Sequence, residues 1–200
     1  MEVTRNPDTR TRTDRPTTTH MNTDLTRIGG VGGEHPAHAV DLNEDLTRNP
    51  MEDHRVLVVG LGNLLLCDDG VGIHAARALM HDPPPGALVV EVGTAILSAL
   101  HLLEAADRII ALDAVHAGGA PGTVYVFDAR GERRDQPYTS VHEMGILNTL
   151  AMMAPEARPH LKVIGVEPEV IDYGLELSPT VGRALEQMLA EARRIVADWA

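Results

Sequence analysis

Three acidic residues and one histidine lie where an α/β sequence pattern places its functional groups. Asp68 and Asp69 follow the apolar run VLVVG, Asp113 ends the run RIIALD, and His142 precedes the helical pattern in HEMGILNTL. Ligands of open α/β sheets bind beyond the carboxyl ends of the strands, so these positions are candidates for one common site. Carboxylates and an imidazole form a mixed donor set that suits a divalent transition-metal ion with positions open for water or substrate.

Each of these residues also has a simpler structural interpretation. Asp68 and Asp69 could both cap a helix that begins near Gly70, although capping requires only one acid. Asp113 could belong to a surface loop, and His142 could be a solvated residue at a helix start. The pattern places each residue near the end of a strand or helix but does not show that they converge.

The glycines after the first apolar run do not indicate a dinucleotide site. Gly60 and Gly62 begin the pattern G-x-G-x-x-G, but Leu65 stands where the third glycine is required. A pyrophosphate at a helix N-terminus needs free N–H groups, and Asp68 and Asp69 would place negative charge beside it. The turn therefore favours a cation over a phosphate.

Three other residues are weaker candidates. His116 is close in sequence to Asp113 and could orient its carboxylate without contacting the ligand itself. Glu167 follows the last apolar run, where it either lines the same edge of the sheet or caps a loop. Cys67 is the only cysteine, and its place in an apolar run without a neighbouring base favours packing over nucleophilic catalysis.

Short apolar runs alternate with helical patterns from Arg55 onward, which predicts an α/β fold. The predicted strands are Val56–Gly60, Ala87–Val92, Arg108–Val115, Thr123–Asp128 and Leu161–Pro168. The predicted helices are Gly70–His81, Ala95–Ala106, Glu143–Met153 and Pro179–Trp199, the last with Ser178 as its N-cap. The result is a three-layer sandwich with a mostly parallel sheet flanked by helices.

One link departs from this alternation. HAGGAPG, between the third and fourth predicted strands, is too short for a crossover helix, so these two strands are expected to be antiparallel.

Composition excludes several classes of protein. Residues 1–54 are predicted to be a disordered tail because they are rich in Thr, Arg, Asp, Pro and Gly, and residues 55–200 are the folded domain. The formal charge of −12, from 17 Lys and Arg against 29 Asp and Glu, disfavours nucleic acid as a partner. The single cysteine and the lack of a long apolar segment predict a cytoplasmic protein that does not span a membrane.

Taken together, the motifs resemble those of the maturation endopeptidases of nickel-iron hydrogenases. The resemblance covers nearly all of residues 55–198, and it is carried by VLVVGLGNLLLCDDGVG, IIALDAVHAGGAPGTVYVF, TSVHEMGI and VIGVEP with the later GLELSPTVGRAL. One departure is EVGT (Glu91 to Thr94), where relatives commonly have Asp-Gly-Gly-Thr.

The resemblance implies a twisted five-stranded sheet and a protease that removes a C-terminal extension from a hydrogenase large-subunit precursor once nickel has been inserted. We expect the protein to be a monomer. It also implies that Asp69, Asp113 and His142 are the catalytic, metal-contacting residues. Many relatives have glutamate at the position of Asp69. The nickel is contacted through the precursor, and no tightly bound organic cofactor is expected.

Two rival hypotheses remain at this stage. The same three residues could hold a resident zinc ion in a self-contained metallohydrolase. Alternatively, the domain could be a non-catalytic, nickel-dependent maturation chaperone.

Overall fold

The computed structural model describes residues 49–128 and 141–199. In this part of the chain the strands are β1 (Val56–Leu61), β2 (Ala87–Gly93), β3 (Arg108–Ala114), β4 (Val124–Asp128) and β5 (His160–Val166). The α-helices are α1 (Val71–His81), α2 (Leu100–Ala105), α3 (Val141–Ala151) and α4 (Pro179–Trp199). Every predicted strand and helix is present, which confirms the α/β fold class.

The strands form one sheet in the order β2-β1-β3-β5-β4. β1 pairs in parallel with β2 and β3, β3 pairs in parallel with β5, and β4 is antiparallel to β5. The predicted reversal of β4 is therefore confirmed, but its pairing with β3 is wrong because β5 lies between them. The short link after β3 crosses the carboxyl end of β5, where Glu167 N–H donates to Thr123 O at 2.9 Å and Gly122 N–H donates to Glu167 O at 2.8 Å.

Alternating residues of the central strands are buried on opposite faces of the sheet. In β1, Val56 and Val58 pack into a cluster with α1 and α4, whereas Leu57, Val59 and Leu61 pack into a second cluster with α2 and α3. Burial on both faces explains why the strand sequences are continuous apolar runs without alternating polar residues. It also confirms the three-layer arrangement.

The helix predicted from Ala95 begins differently from the prediction, whereas α4 begins as predicted. The predicted helix from Ala95 starts as a 3-10 turn, Ile96–Ala99, before it continues as α2. The predicted cap of α4 is present, since Ser178 Oγ accepts the N–H of Val181 at 3.2 Å and Pro179 is the first helical residue.

The packed structure extends a few residues beyond the boundary expected at residue 54. Met51 is 5% exposed and belongs to the cluster on the α2 and α3 side of the sheet. Residues 1–48, where the rest of the tail is predicted, lie outside the described residues, as do residues 129–140. None of the described helices is long and apolar enough to cross a membrane.

Candidate active site

The first loop, residues 62–70 between β1 and α1, folds back on itself at the carboxyl end of the sheet. Gly62 makes this possible with φ of +115°, and a Cβ at this position would lie 1.9 Å from the carbonyl oxygen of Asp69. Asp69 Oδ2 accepts the N–H of Asn63 at 2.8 Å, which closes the loop. Asn63 Oδ1 in turn accepts the N–H of Leu65 at 3.0 Å. The loop thus holds the Asp69 carboxylate in a defined position.

His142 reaches this carboxylate from the first turn of α3. Its Nε2 lies 3.1 Å from Asp69 Oδ2, and the two side chains are 15% and 18% exposed. α3 is held against the sheet by Ile146, one turn further on, which is fully buried. Gly145 lets α3 approach the 3-10 turn closely, since a Cβ there would lie 2.5 Å from Ile96 Cδ1. Residues 73 positions apart in the chain therefore meet in one contact.

Asp113 supplies a second carboxylate from the end of β3. The residue is fully buried, and its Oδ1 accepts the N–H of Ala114 at 2.9 Å. It lies close enough for its negative charge to raise the pKa of His142. Asp69, Asp113 and His142 therefore occupy one region at the carboxyl edge of the sheet, as the strand-end pattern predicts for a site.

The electrostatics of the site favour an ion pair. Burial opposes ionisation of Asp69, but the hydrogen bond and charge of His142, together with the Asn63 N–H, lower the pKa of this carboxyl below its ordinary value of 3.8. The hydrogen bond to Asp69 raises the pKa of His142 above 6.5, although burial acts in the other direction. The proton between the two side chains is therefore held more strongly than it would be in water.

This donor set can accept a cation in exchange for a proton. A metal ion binds neutral imidazole, so binding at His142 Nε2 would require release of the proton shared with Asp69. The two carboxylates would then face the positive charge. Within residues 49–128 and 141–199, no group of three or more His, Cys, Asp and Glu side chains is arranged to hold a metal ion by itself.

Asp68 has a different role from its neighbour. It is fully buried, and its carboxylate accepts the backbone N–H groups of Glu169, Val170 and Ser178 at 2.7–2.9 Å. No side chain caps the 3-10 turn at Cys67–Gly70 or the start of α1, so the capping interpretation of both acids is wrong. Asp68 instead joins the first loop to the segment before α4. The sequence offered no signal for this contact because its partners are backbone groups about 100 residues away.

Glu167 stabilises the link between β3 and β4. Its Oε2 accepts the N–H of Ala117 at 2.9 Å, the N–H of Gly119 at 3.2 Å and the hydroxyl of Tyr125 at 3.0 Å. Burial opposes its ionisation, but these donors lower the pKa of the carboxyl below its ordinary value. His116 pairs with Glu167 at 3.5 Å and also helps to lower the pKa of Asp69. Glu167 therefore holds the backbone next to the site, with His116 beside it, and neither residue belongs to the Asp69–His142 pair.

Cys67 is half-buried, and its backbone has φ of +47°. Its sulfur lies against Gly174, where an added Cβ would be 2.6 Å from Sγ. The thiol therefore packs between the first loop and the segment before α4, consistent with the expected packing role.

Comparisons with known proteins agree on one family. The family model described as HycI, hydrogenase maturation protease, matches residues 73–195. The hydrogenase 2 maturation protease of Escherichia coli K12 is 33% identical over 151 residues, which cover 70% of this chain and 91% of that protein.

Solved structures of similar proteins have the same fold. The hydrogenase maturating endopeptidase HybD from E. coli is 26% identical with a TM-score of 0.62, covering 72% of this chain and 93% of that chain. The nickel-iron hydrogenase maturation protease HybD from Thermococcus kodakarensis is 32% identical with a TM-score of 0.62, covering 71% of this chain and 99% of that chain. The similarity therefore extends over almost the full length of the relatives.

Proposed function

We propose, from the premise that this chain belongs to the hydrogenase maturation proteases, that it removes a C-terminal extension from the large-subunit precursor of a nickel-iron hydrogenase after nickel insertion. The chain is an endopeptidase of this family, and its substrate is a hydrogenase large-subunit precursor. The dependence on nickel and the roles of individual residues are the proposed part.

The observation that supports the nickel-dependent step is the contact between Asp69 and His142 beside the buried Asp113. In the proposed reaction, the nickel of the loaded precursor is part of the substrate. It replaces the proton held between Asp69 and His142, and the carboxylates of Asp69 and Asp113 compensate its charge. A precursor without nickel cannot make this exchange, so it binds less tightly and its scissile bond is not positioned.

Two routes could activate the water that attacks the peptide bond. Asp69 is ionised at neutral pH and partly exposed, so it can serve as a general base. Alternatively, the nickel of the precursor can act as a Lewis acid on the water or on the scissile carbonyl. An acyl-enzyme route is disfavoured because Cys67 is packed against Gly174 and the sequence places no base beside it. Neither route requires an organic cofactor.

The direct test is to incubate the protein with nickel-loaded and nickel-free precursor and to measure the mass of each product. We expect loss of a C-terminal peptide from the loaded precursor alone. Asp113→Asn keeps the size of the buried side chain but removes its charge, and we expect cleavage to fall by about 100-fold or more, the scale of losing one electrostatic contributor to a reaction. Equal cleavage of both precursors by the wild-type protein would contradict nickel recognition.

The precursor experiment, together with the zinc content of the protein and its activity on simple peptides, separates the rival hypotheses. A self-contained metallohydrolase would bind zinc stoichiometrically and cut simple peptides without a loaded precursor. A chaperone would bind the loaded precursor and never cut it.

The cytoplasmic location and the monomeric state stay predictions, which fractionation and light scattering would test.

A further inference from the structure

The segment between β5 and α4, residues 167–178, presents an unusual number of apolar side chains to solvent. Nine large apolar side chains are exposed in the described residues, and four of them lie within this segment. These four are Val170 at 41%, Ile171 at 45%, Tyr173 at 89% and Leu175 at 57%. Exposed apolar residues that are clustered, unlike single ones, indicate a surface for a partner.

This segment is held in place by the first loop. The buried carboxylate of Asp68 accepts three of its N–H groups, at Glu169, Val170 and Ser178. Gly174 N–H donates to Leu65 O at 3.0 Å, and Gly174 O accepts the N–H of Cys67 at 2.9 Å. The backbone is therefore ordered before any partner binds, so its exposed side chains need little further ordering on binding.

The segment is continuous with the candidate active site. Leu65, which is 61% exposed, belongs to the first loop and is bonded to Gly174. Asp69, which contacts His142, follows directly after the Asp68 that binds the segment. A partner that lies on this apolar surface would thus reach the first loop at the position of the catalytic carboxylate.

The charges of the segment specify the chemistry of the partner. Glu169, Asp172 and Glu176 are exposed among the apolar side chains, and the sequence has no Lys or Arg between Lys162 and Arg183. The whole chain has a formal charge of −12. The complementary surface is apolar at its centre with Lys or Arg side chains around it.

We propose that residues 169–176 together with Leu65 form a docking surface for the hydrogenase large-subunit precursor, which binds through an apolar patch bordered by basic side chains. This inference rests on the proposed function. Metal recognition at Asp69 and His142 distinguishes loaded from empty precursor, but any exposed nickel site would satisfy it. Contacts away from the reacting bond add the selection of one protein among many. Such contacts contribute equally to ground-state and transition-state binding, so their loss should change KM and not kcat.

The apolar part is tested with the double variant Ile171→Ser/Tyr173→Ser. Both side chains are exposed, so the fold is retained, and the melting temperature verifies this. We expect KM for nickel-loaded precursor to rise about 10-fold with kcat changed less than about 2-fold, the signature of lost uniform binding. The matched control is Met80→Ser, an apolar residue that is 52% exposed near the end of α1 and should leave both constants unchanged.

The charged part is tested with Glu169→Gln/Glu176→Gln. Asp172 is left intact because its Oδ1 accepts the N–H of Tyr173 at 2.7 Å. We expect KM of the wild type to rise with ionic strength between about 0.05 and 0.5 M salt, as screening weakens exposed charge pairs. The variant should have a higher KM at low salt and a flatter salt dependence.

The outcomes distinguish the docking surface from the proposed function. If the wild-type protein cleaves no loaded precursor, the proposed function fails before docking is tested. If the wild type cleaves and the Ile171→Ser/Tyr173→Ser variant keeps its KM, the docking surface is wrong while the function stands. A fall in kcat at constant KM, or an equal rise in KM for Met80→Ser, would also overturn it.

Discussion

Asp68 and Asp69 are neighbours with the same side chain, yet burial and partners give them different roles. The Asp68 carboxylate is sealed from solvent and satisfied by three backbone N–H groups, so it has no free capacity for a substrate. The Asp69 carboxylate remains partly exposed and shares a proton with His142. Asp68 therefore has a structural role, whereas Asp69 is the acid that is partly exposed at the candidate site.

Removal of the Asp68 carboxylate should strongly destabilise the fold. In Asp68→Ala three buried N–H groups lose their acceptor, and we expect a loss of about 3 kcal/mol in the free energy of unfolding, within the range for a broken buried network. Urea denaturation measures this change. Glu176→Ala, at an exposed position of the same segment, is the control and should cost less than about 1 kcal/mol. Similar losses for the two variants would show that Asp68 is not the joint between the loops.

The contact between Asp69 and His142 should be strongest in mildly acidic solution. The pKa of His142 is raised, so its contribution to stability is complete below pH 6.5 and is lost as pH rises through the raised value. The pKa of Asp69 is lowered, so its contribution is present above pH 3.8 and is lost as pH falls through the lowered value. The two contributions overlap between pH 3.8 and pH 6.5.

A double-mutant cycle with Asp69→Asn and His142→Gln measures this pH dependence. We expect a coupling energy of about 1–2 kcal/mol near pH 5.5 that falls as pH rises through the raised pKa of His142 and the imidazole loses its charge. A coupling energy that is no larger near pH 5.5 than at the alkaline end of the titration would contradict an ion pair between the two side chains.

At the level of elements, local sequence signals predicted the strands and helices well. α4 begins at Pro179 and ends at Trp199 as predicted, because the Ser178 cap and the first-turn proline are local features. The start of α2 was less predictable, since its first turn is 3-10. The sequence places two adjacent acids in the loop after β1, but only the folded loop shows that Asp68 binds backbone N–H groups and that Asp69 contacts His142.

The conformation of that loop should depend on Gly62. In Gly62→Ala the new Cβ would collide with the carbonyl oxygen of Asp69, and φ of +115° is unfavourable for alanine. We expect a loss of roughly 2 kcal/mol or more in unfolding free energy, from strain at a special backbone position, with a large fall in precursor cleavage.

The matched control is Gly182→Ala in α4, where nothing lies within 4 Å of the added Cβ. Alanine in a helix interior should raise the unfolding free energy by about 0.5–1 kcal/mol without affecting cleavage. Equal effects of the two substitutions would contradict the special role of Gly62.

At the level of the whole molecule, Met51 is the first buried residue in the described part of the chain, and it precedes β1 by a short segment. A chain that begins at Met51 keeps the buried methionine and loses only residues of the predicted tail, so we expect its melting temperature to remain within about 2 °C of the full chain. Its cleavage of loaded precursor should be unchanged. Met51→Ala in the shortened chain is expected to cost about 2 kcal/mol, as for other buried methionines. A lower melting temperature or slower cleavage of the shortened chain would assign a role to residues 1–50.

The sequence by itself determined the α/β class, the strands to within one or two residues at each end, and the candidates Asp68, Asp69, Asp113 and His142, among which the family resemblance selected Asp69 over Asp68. Apolar runs, caps and strand-end polar residues are local features, so they can be read without the fold. Tertiary structure decided that β5 separates β3 from β4, that His142 contacts Asp69, and that Asp68 binds the segment before α4. The last two contacts join residues 73 or more positions apart, and only packing of the sheet and its helices brings such residues within hydrogen-bond distance.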